Sequence, residues 1–168
     1  YHHSFFFTKS GLWSVVQQGM NTQLKKARRY HWQSSVVNDF VEEPQAAICS
    51  DAKVKPLNLV AKESGQTRDC SVHLIKENFN ALLTDLKKMD DKQKGLQRLP
   101  FLDLPSDSES PPPYLVFDYK RGEKVLFAAR EKNPQNFESL LSKTNVGPKT
   151  LRALALVSEV IYGVKPSF

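Results

Sequence analysis

The sequence predicts an α+β fold in which a small antiparallel sheet packs on helices and a pair of helices ends the chain. Two aromatic and β-branched runs, 1–8 and 12–18, flank a short turn that contains Gly11, and this pattern predicts a β-hairpin. Apolar residues recur at helical spacing over 75–89, which predicts a helix. Near the C-terminus, two helical segments flank a Gly-Pro turn at Gly147.

Composition places the chain among globular proteins and excludes other classes. Of its 168 residues, 40% are hydrophobic and 25% are charged, which is typical of a folded domain with its own core. The longest apolar run has five residues, whereas a membrane span needs about 20, so no membrane partner is expected. Cys49 and Cys70 are expected to be free thiols of a cytoplasmic protein, and the alternative is one disulfide between them. Because the chain opens on Tyr1 inside an apolar run, we expect missing segments at both ends of a longer protein.

Four shorter segments complete the N-terminal half. Gly19 is expected to end the second strand, and Asn21 or Thr22 to cap a short basic helix that runs to His31. The segments 36–41 and 44–49 are predicted to be short extended pieces, and 57–61 a further strand.

A Pro-rich stretch suggests the internal boundary. Residues 103–113 are acidic and end in three prolines, so they are expected to form a flexible linker or loop. Residues 1–102 would then be the α+β core of a fragment. Residues 114–168 would hold a second hairpin, with strands at 114–119 and 125–129, followed by the helical pair.

Charge is distributed unevenly along the chain, although its total is only +6. Residues 1–38 contain no acid and carry +5, and residues 143–168 carry +3, which leaves −2 between them. Two basic ends around a mildly acidic middle predict a polyanion that is contacted in two places. The alternative is a solvated basic surface without a ligand.

The C-terminal helical pair carries the strongest functional signal. Asn133 is expected to cap the first helix, Gly147 to precede the second and Gly163 to end it. The first N–H groups of the second helix have no partner within the helix and would form an anion site beside Lys149. The segment resembles the helix-hairpin-helix motif, which binds the DNA backbone. Asn145 replaces the first loop glycine of that motif and is expected to tolerate a left-handed conformation.

A second basic segment interleaves cations with aromatic residues. Arg28, Arg29, Tyr30, His31 and Trp32 would suit phosphate contact combined with base stacking. The alternative is a basic surface helix with Trp32 anchored in the core. The predicted DNA-binding residues are therefore Lys25, Lys26, Arg28, Arg29, Asn145, Gly147, Lys149, Thr150 and Arg152.

An enzymatic interpretation rests on the N-terminal polar residues. His3 or His31 could join Gln17 and Glu43 in an active site of a DNA nuclease or a DNA glycosylase. His2 and His3 cannot share a site, because neighbours on a strand point to opposite faces. The sequence leaves the cofactor open, with a divalent metal ion among the candidates.

Several blocks in order along the chain resemble family 763 of the domains of unknown function. They are YHHSFFF at 1–7, WSVVQQGM at 13–20, ARRYHW at 27–32, FVEEP at 40–44, LNLVAKES at 57–64 and VGPKT at 146–150. Gln45 departs from the pattern, where family members have a histidine. Through the helix-hairpin-helix, the resemblance implies an intracellular protein of genome maintenance, without an assigned activity.

Three functional hypotheses follow. The leading one is binding of the DNA backbone as part of a DNA-repair or DNA-processing protein. The second is a nuclease or glycosylase that uses the N-terminal cluster. The third is a protein-interaction domain with an acidic partner. The oligomeric state is left open.

Overall fold

The computed structural model of the chain describes residues 2–22, 25–50, 57–97 and 117–168. These residues form four strands and five helices, so the expected α+β class is confirmed. They divide into two units, Tyr1–Lys62 with Phe168 and Glu63–Ser167. We call the first the sheet unit, because it holds all four described strands, and the second the helical unit, because it holds all five described helices.

The sheet unit contains one antiparallel sheet of four strands in sequence order. Its strands are β1 (His2–Phe7), β2 (Trp13–Asn21), β3 (Lys26–Gln33) and β4 (Ala47–Ser50). The first hairpin is confirmed, and Gly11 has a φ of 86° in its turn, a conformation that strains residues with a Cβ. The packing of this sheet on a helix stays a prediction.

The predicted basic helix after Asn21 is wrong, because the segment forms β3. Gly19 does not end β2 but pairs with Arg28, and the ladder continues to the end of the strand. Lys25, with a φ of 51°, lies in the connection between the two strands. The helical spacing rested on a few apolar positions, one of which, Leu24, lies outside the described residues. A long ladder with β2 satisfies more backbone groups than a short isolated helix would, so tertiary pairing prevails.

The extended pieces predicted after β3 are only partly correct. Residues 44–49 overlap β4, but 36–41 form turns in which Asp39 Oδ1 accepts hydrogen bonds from the N–H groups of Val41 and Glu42. An aspartate that bonds to the backbone ahead of it favours a turn over a strand. The strand predicted at 57–61 is also a turn, where Val60 O accepts from Glu43 N at 2.8 Å.

The helix predicted over 75–89 is two helices. A 3-10 turn (Lys62–Ser64) precedes α1 (Gly65–Lys76), and α2 (Phe79–Gln97) follows after a break at Glu77. Both N–H groups of the break, at residues 77 and 78, donate to His73 O, which ends α1. The chain therefore turns within the apolar stripe, of which Ile75, Phe79, Leu82 and Leu86 are buried.

The predicted second hairpin is also wrong. Its described part forms α3 (Tyr119–Glu131), while residues 114–116 lie outside the described residues. Asp118 caps this helix by accepting from the N–H group of Arg121 at 3.2 Å. Leu126 and Ala129 face the core at helical spacing. The apolar run 125–129 is consistent with a strand or a buried helix, and the capping residue decides between them.

The C-terminal helical pair is present as α4 (Phe137–Lys143) and α5 (Pro148–Val160). Asn133 does not cap α4, because it lies in the left-handed region with a φ of 46°. The cap is Asn136, which forms a reciprocal capping box with Ser139. Gly163 follows α5 with a φ of 70°, as the sequence predicts for the end of that helix.

The core of the helical unit draws apolar side chains from all five helices. Fully or almost fully buried are Leu74, Ile75, Phe79, Leu82, Leu86, Leu126, Leu140, Leu154 and Val157. Burying each such side chain stabilises the fold by about 1.5–3 kcal/mol relative to exposure. The predicted linker at 103–113 lies outside the described residues, and helices from both sides of it belong to this one unit.

Replacing Leu154 by alanine should lower the free energy of unfolding by about 2–5 kcal/mol, because it leaves a cavity in the core. Val160, on the same helix, is 60% exposed, so Val160→Ala should change the free energy of unfolding by no more than about 0.5 kcal/mol. Urea unfolding followed by circular dichroism measures both. Equal effects would contradict the described burial of α5.

Candidate nucleic-acid interface

A cleft of about 330 Å³ lies in the helical unit where the N-termini of α3 and α5 meet. Four residues predicted from sequence to bind DNA line one wall, namely Asn145, Gly147, Lys149 and Thr150. The opposite wall is formed by the first turn of α3, including Asp118 and Arg121. The structure therefore brings these four predicted residues to a single concave site.

The first turn of α5 lines this cleft, and its N-terminus has no capping side chain. Gly147 is the N-cap, and no side chain makes a capping hydrogen bond there. Pro148 follows and has no N–H group, and the first N–H inside the helix to find a helical partner is that of Leu151, which donates to Gly147 O at 3.0 Å. The N–H groups of Lys149 and Thr150 therefore lie at the positive end of the helix dipole, and no side chain caps them.

Gly147 leaves room in front of these donors. A Cβ added at this residue would meet no atom within 4 Å. Its φ of −96° is accessible to any residue, so the backbone conformation does not require glycine. What glycine provides here is open space next to the helix N-terminus, through which an outside group can come close to the backbone.

The loop between α4 and α5 is held in place from both sides. Val146 is buried, and Thr144 Oγ1 donates to Leu140 O while it accepts from the N–H group of Val146. Asn145 is exposed between these anchors and is not among the described residues with a positive φ. The loop therefore does not use the tolerance of Asn145 for a left-handed conformation, and the buried Val146 and the Thr144 hydroxyl hold it instead.

Arg121 is the residue of this site that the sequence analysis missed. It is exposed and lines the cleft from α3, across from Lys149. Arg121 was missed because the segment was predicted to be part of a hairpin, and a strand would not have placed Arg121 next to α5. The available signal was Asp118 as a helix cap, followed by apolar residues at helical spacing.

The cleft carries a small excess of positive charge. Arg121 and Lys149 contribute two cations, and Asp118 contributes one carboxylate, which accepts from the N–H group of Arg121. The positive end of α5 adds to the cations, whereas the cap of α3 already occupies part of that helix end. Arg152 is exposed on α5 but does not line the cleft.

Tyr119, at the start of α3, adds no negative charge at neutral pH. Burial raises the pKa of its phenol above the ordinary value of 10.0, and the hydrogen bond to Glu123 and the charge of Glu123 raise it further. The hydroxyl donates to Glu123 Oε1 at 2.9 Å. The Glu123 carboxylate is therefore engaged by a neutral donor.

The four residues of the predicted active site lie at different places in the sheet unit. His3 pairs directly with Gln17, so these two side chains share one face of the sheet. His31 pairs with Val16, one residue further along, and therefore lies on the other face. Glu43 is exposed in a bend, where its carboxylate accepts from the N–H group of Lys62 at 3.4 Å. Catalysis by this set stays a prediction.

Two further findings concern the ligands that the sheet unit offers. In the described part of the chain, no group of three or more His, Cys, Asp and Glu side chains is placed to hold a metal ion. Nε2 of His31 is buried and has no hydrogen-bond partner among the described residues.

The four predicted cations of the sheet unit do not form one patch. Lys25 lies in the turn before β3, while Lys26 and Arg28 alternate with residues that point to the opposite face. Arg29 lies on that opposite face, where its Nε donates to Gln18 Oε1 at 2.7 Å. The alternation of side chains along β3 places on opposite faces the cations that the predicted helix would have grouped.

Strand pairing and helix packing together define an α+β protein that combines an antiparallel sheet with a five-helix unit in its described residues. The chain belongs to the family described as protein of unknown function (DUF763), whose model matches residues 1–168. This confirms the family resemblance seen in the sequence blocks. No curated protein matches the chain, and no solved structure matches it either. None of the helices in the described ranges is both long and apolar enough to cross a membrane.

Replacing Gly122 by alanine should disturb the α3 wall of the cleft. The added Cβ would lie 2.6 Å from Cε2 of the Phe117 ring, so the ring must move. Overpacking of this kind lowers the free energy of unfolding by about 1–3 kcal/mol. At Gly65 the new Cβ would be 3.7 Å from Arg68 Nη2, an ordinary contact, so Gly65→Ala is the matched control with little effect. Denaturant unfolding that gave equal midpoints for both variants would contradict the close contact between Phe117 and Gly122.

Proposed function

We propose that the helical unit binds DNA through the sugar-phosphate backbone, at the cleft between the N-termini of α3 and α5. The observation that carries the proposal is the start of α5, which has no capping side chain and an unobstructed approach at Gly147. Lys149 lies on this turn, and Arg121 lies across the cleft. A helix N-terminus with free N–H groups and a neighbouring cation is a favourable place for a phosphate.

The shape of the loop supports backbone binding more than base recognition. Its donors are main-chain N–H groups and flexible cations, and such groups bind phosphate oxygens without reading sequence. The buried Val146 fixes the loop, so little conformational entropy is lost when a phosphate binds. The α4–loop–α5 segment has the order of elements that a helix-hairpin-helix motif requires.

This proposal implies a cytoplasmic protein with DNA as its partner, in DNA repair or DNA processing. The proposal concerns binding of the DNA backbone and not a reaction, so it includes no catalytic group. The third hypothesis, an acidic protein partner for the same basic surface, is an outcome that the experiment below separates from it.

Lys149→Gln should weaken duplex binding and lower the steepness of its salt dependence. Loss of one phosphate contact reduces the slope of log K against log salt by about 0.9. Gly147→Ala should also weaken binding but leave the slope unchanged, because it removes space and not charge. Fluorescence anisotropy of a labelled duplex, titrated at several salt concentrations, measures both the affinity and the slope.

Lys132→Gln is the matched control for charge. Lys132 is the C-cap of α3, a helix of 13 residues that starts at the cleft, so it lies about 20 Å away along the helix axis. Its removal should alter affinity much less than removal of Lys149. If both substitutions lowered the affinity equally, binding would depend only on the net charge of the protein, and the cleft would be rejected as the site. An affinity for DNA no higher than that of another basic protein of equal charge would favour the acidic protein partner.

A further inference from the structure

The register of the sheet gathers aromatic side chains on one of its two faces. Phe5 pairs with Val15, which pairs with Trp32, and His3 pairs with Gln17, which pairs with Tyr30. Directly paired residues and every second residue along a strand share a face. We call this the aromatic face, and its aromatic members are His3, Phe5, Phe7, Trp13, Tyr30 and Trp32.

Four of the rings on the aromatic face form two stacked pairs. Phe5 and Phe7 stack with centroids 6.4 Å apart and planes within 3° of parallel. Tyr30 and Trp32 stack at 6.0 Å with planes at 26°. Phe5 is 60% exposed and Phe7 75%, so their ring surfaces are open to an outside partner. The aromatic face therefore carries one stacked pair on β1 and another on β3.

Charge on this face selects the kind of partner. Lys26 and Arg28 share it with the aromatic residues, and Arg28 Nη1 donates to Tyr30 Oη at 3.3 Å. The four strands carry Lys26, Arg28 and Arg29 and contain no acidic residue. An apolar protein surface would use the rings but leave the cations unmatched, whereas a polyanion with flat apolar groups matches both.

We propose that the aromatic face binds single-stranded nucleic acid, with bases stacked on the exposed rings and phosphates held by Lys26 and Arg28. Base stacking on aromatic side chains beside a basic groove is a sequence-tolerant way to bind a single strand. A duplex keeps its bases stacked inside and cannot use these rings. The inference goes beyond the proposed function, because it concerns another unit and another form of nucleic acid.

Phe5 and Phe6 provide a matched test. They are neighbours on β1 with nearly equal exposure, 60% and 59%, but they lie on opposite faces of the sheet. In the full chain, Phe5→Leu should weaken binding of a labelled oligothymidylate by about 5- to 100-fold, and Phe6→Leu by no more than about twofold. Binding to the wild-type chain should also quench tryptophan fluorescence, since Trp13 and Trp32 lie on the aromatic face.

A second pair repeats the test with charge. Arg28 and Arg29 are neighbours on opposite faces, so Arg28→Gln should weaken binding of the single strand and Arg29→Gln should change it less. Circular dichroism and thermal unfolding measure whether each variant is folded. If Phe5→Leu does not fold, the comparison of Arg28→Gln with Arg29→Gln tests the proposal. Equal losses within both pairs, or failure of the wild-type chain to bind the oligonucleotide, would overturn the inference.

The two proposals fail in different ways. Phe5→Leu should leave duplex affinity unchanged, while Lys149→Gln should reduce it. If single-strand affinity falls in Lys149→Gln and not in Phe5→Leu, the aromatic face is rejected and the cleft remains. If Phe5→Leu loses the single strand while Lys149→Gln keeps the duplex, the cleft is rejected and the aromatic face remains.

Discussion

Burial of α5 is the constraint on which the helical unit depends. Leu154 and Val157 are fully buried in the core that also takes Ile75 of α1 and Phe79 of α2. Because α5 is a continuous helix, burial of Leu154 and Val157 also fixes the position of its first turn. The start of α5 therefore meets the start of α3 without any residue of the cleft having to hold it there. The cleft can keep its backbone donors available because the stability comes from elsewhere.

In the sheet unit the corresponding constraint is the two-residue period of the strands. Once β2 pairs with both neighbours, every side chain of three strands is assigned to a face. This single register separates His31 from His3 and Gln17, and it also collects Tyr30 and Trp32 with Phe5. The same geometry that assembles the aromatic rings keeps His3 beside Gln17 and places His31 on the opposite face.

Sequence patterns predicted the elements whose signals are local. The first hairpin follows from Gly11 in its turn, and α5 follows from Pro148 at its start and Gly163 after its end. Segments that depend on distant partners were predicted wrongly. β3 exists because β2 lies beside it. The prediction for α3 was wrong for a different reason: its apolar run is ambiguous, and the local signal that distinguishes a helix from a strand is the cap at Asp118. Arg121 was missed because the segment was interpreted as a strand, although Lys149, which lines the same cleft, was found.

The sequence by itself determined the α+β class, the family, the uneven charge and the loop with Gly147, since each follows from composition or from residues close together in the chain. The tertiary structure alone decided which of these residues meet. Arg121 joins Lys149 because two helix ends converge, and Arg28 is separated from Arg29 because a strand turns successive side chains to opposite faces. Local patterns encode conformation, but a binding surface is a relation between residues far apart in sequence, and packing and pairing establish it.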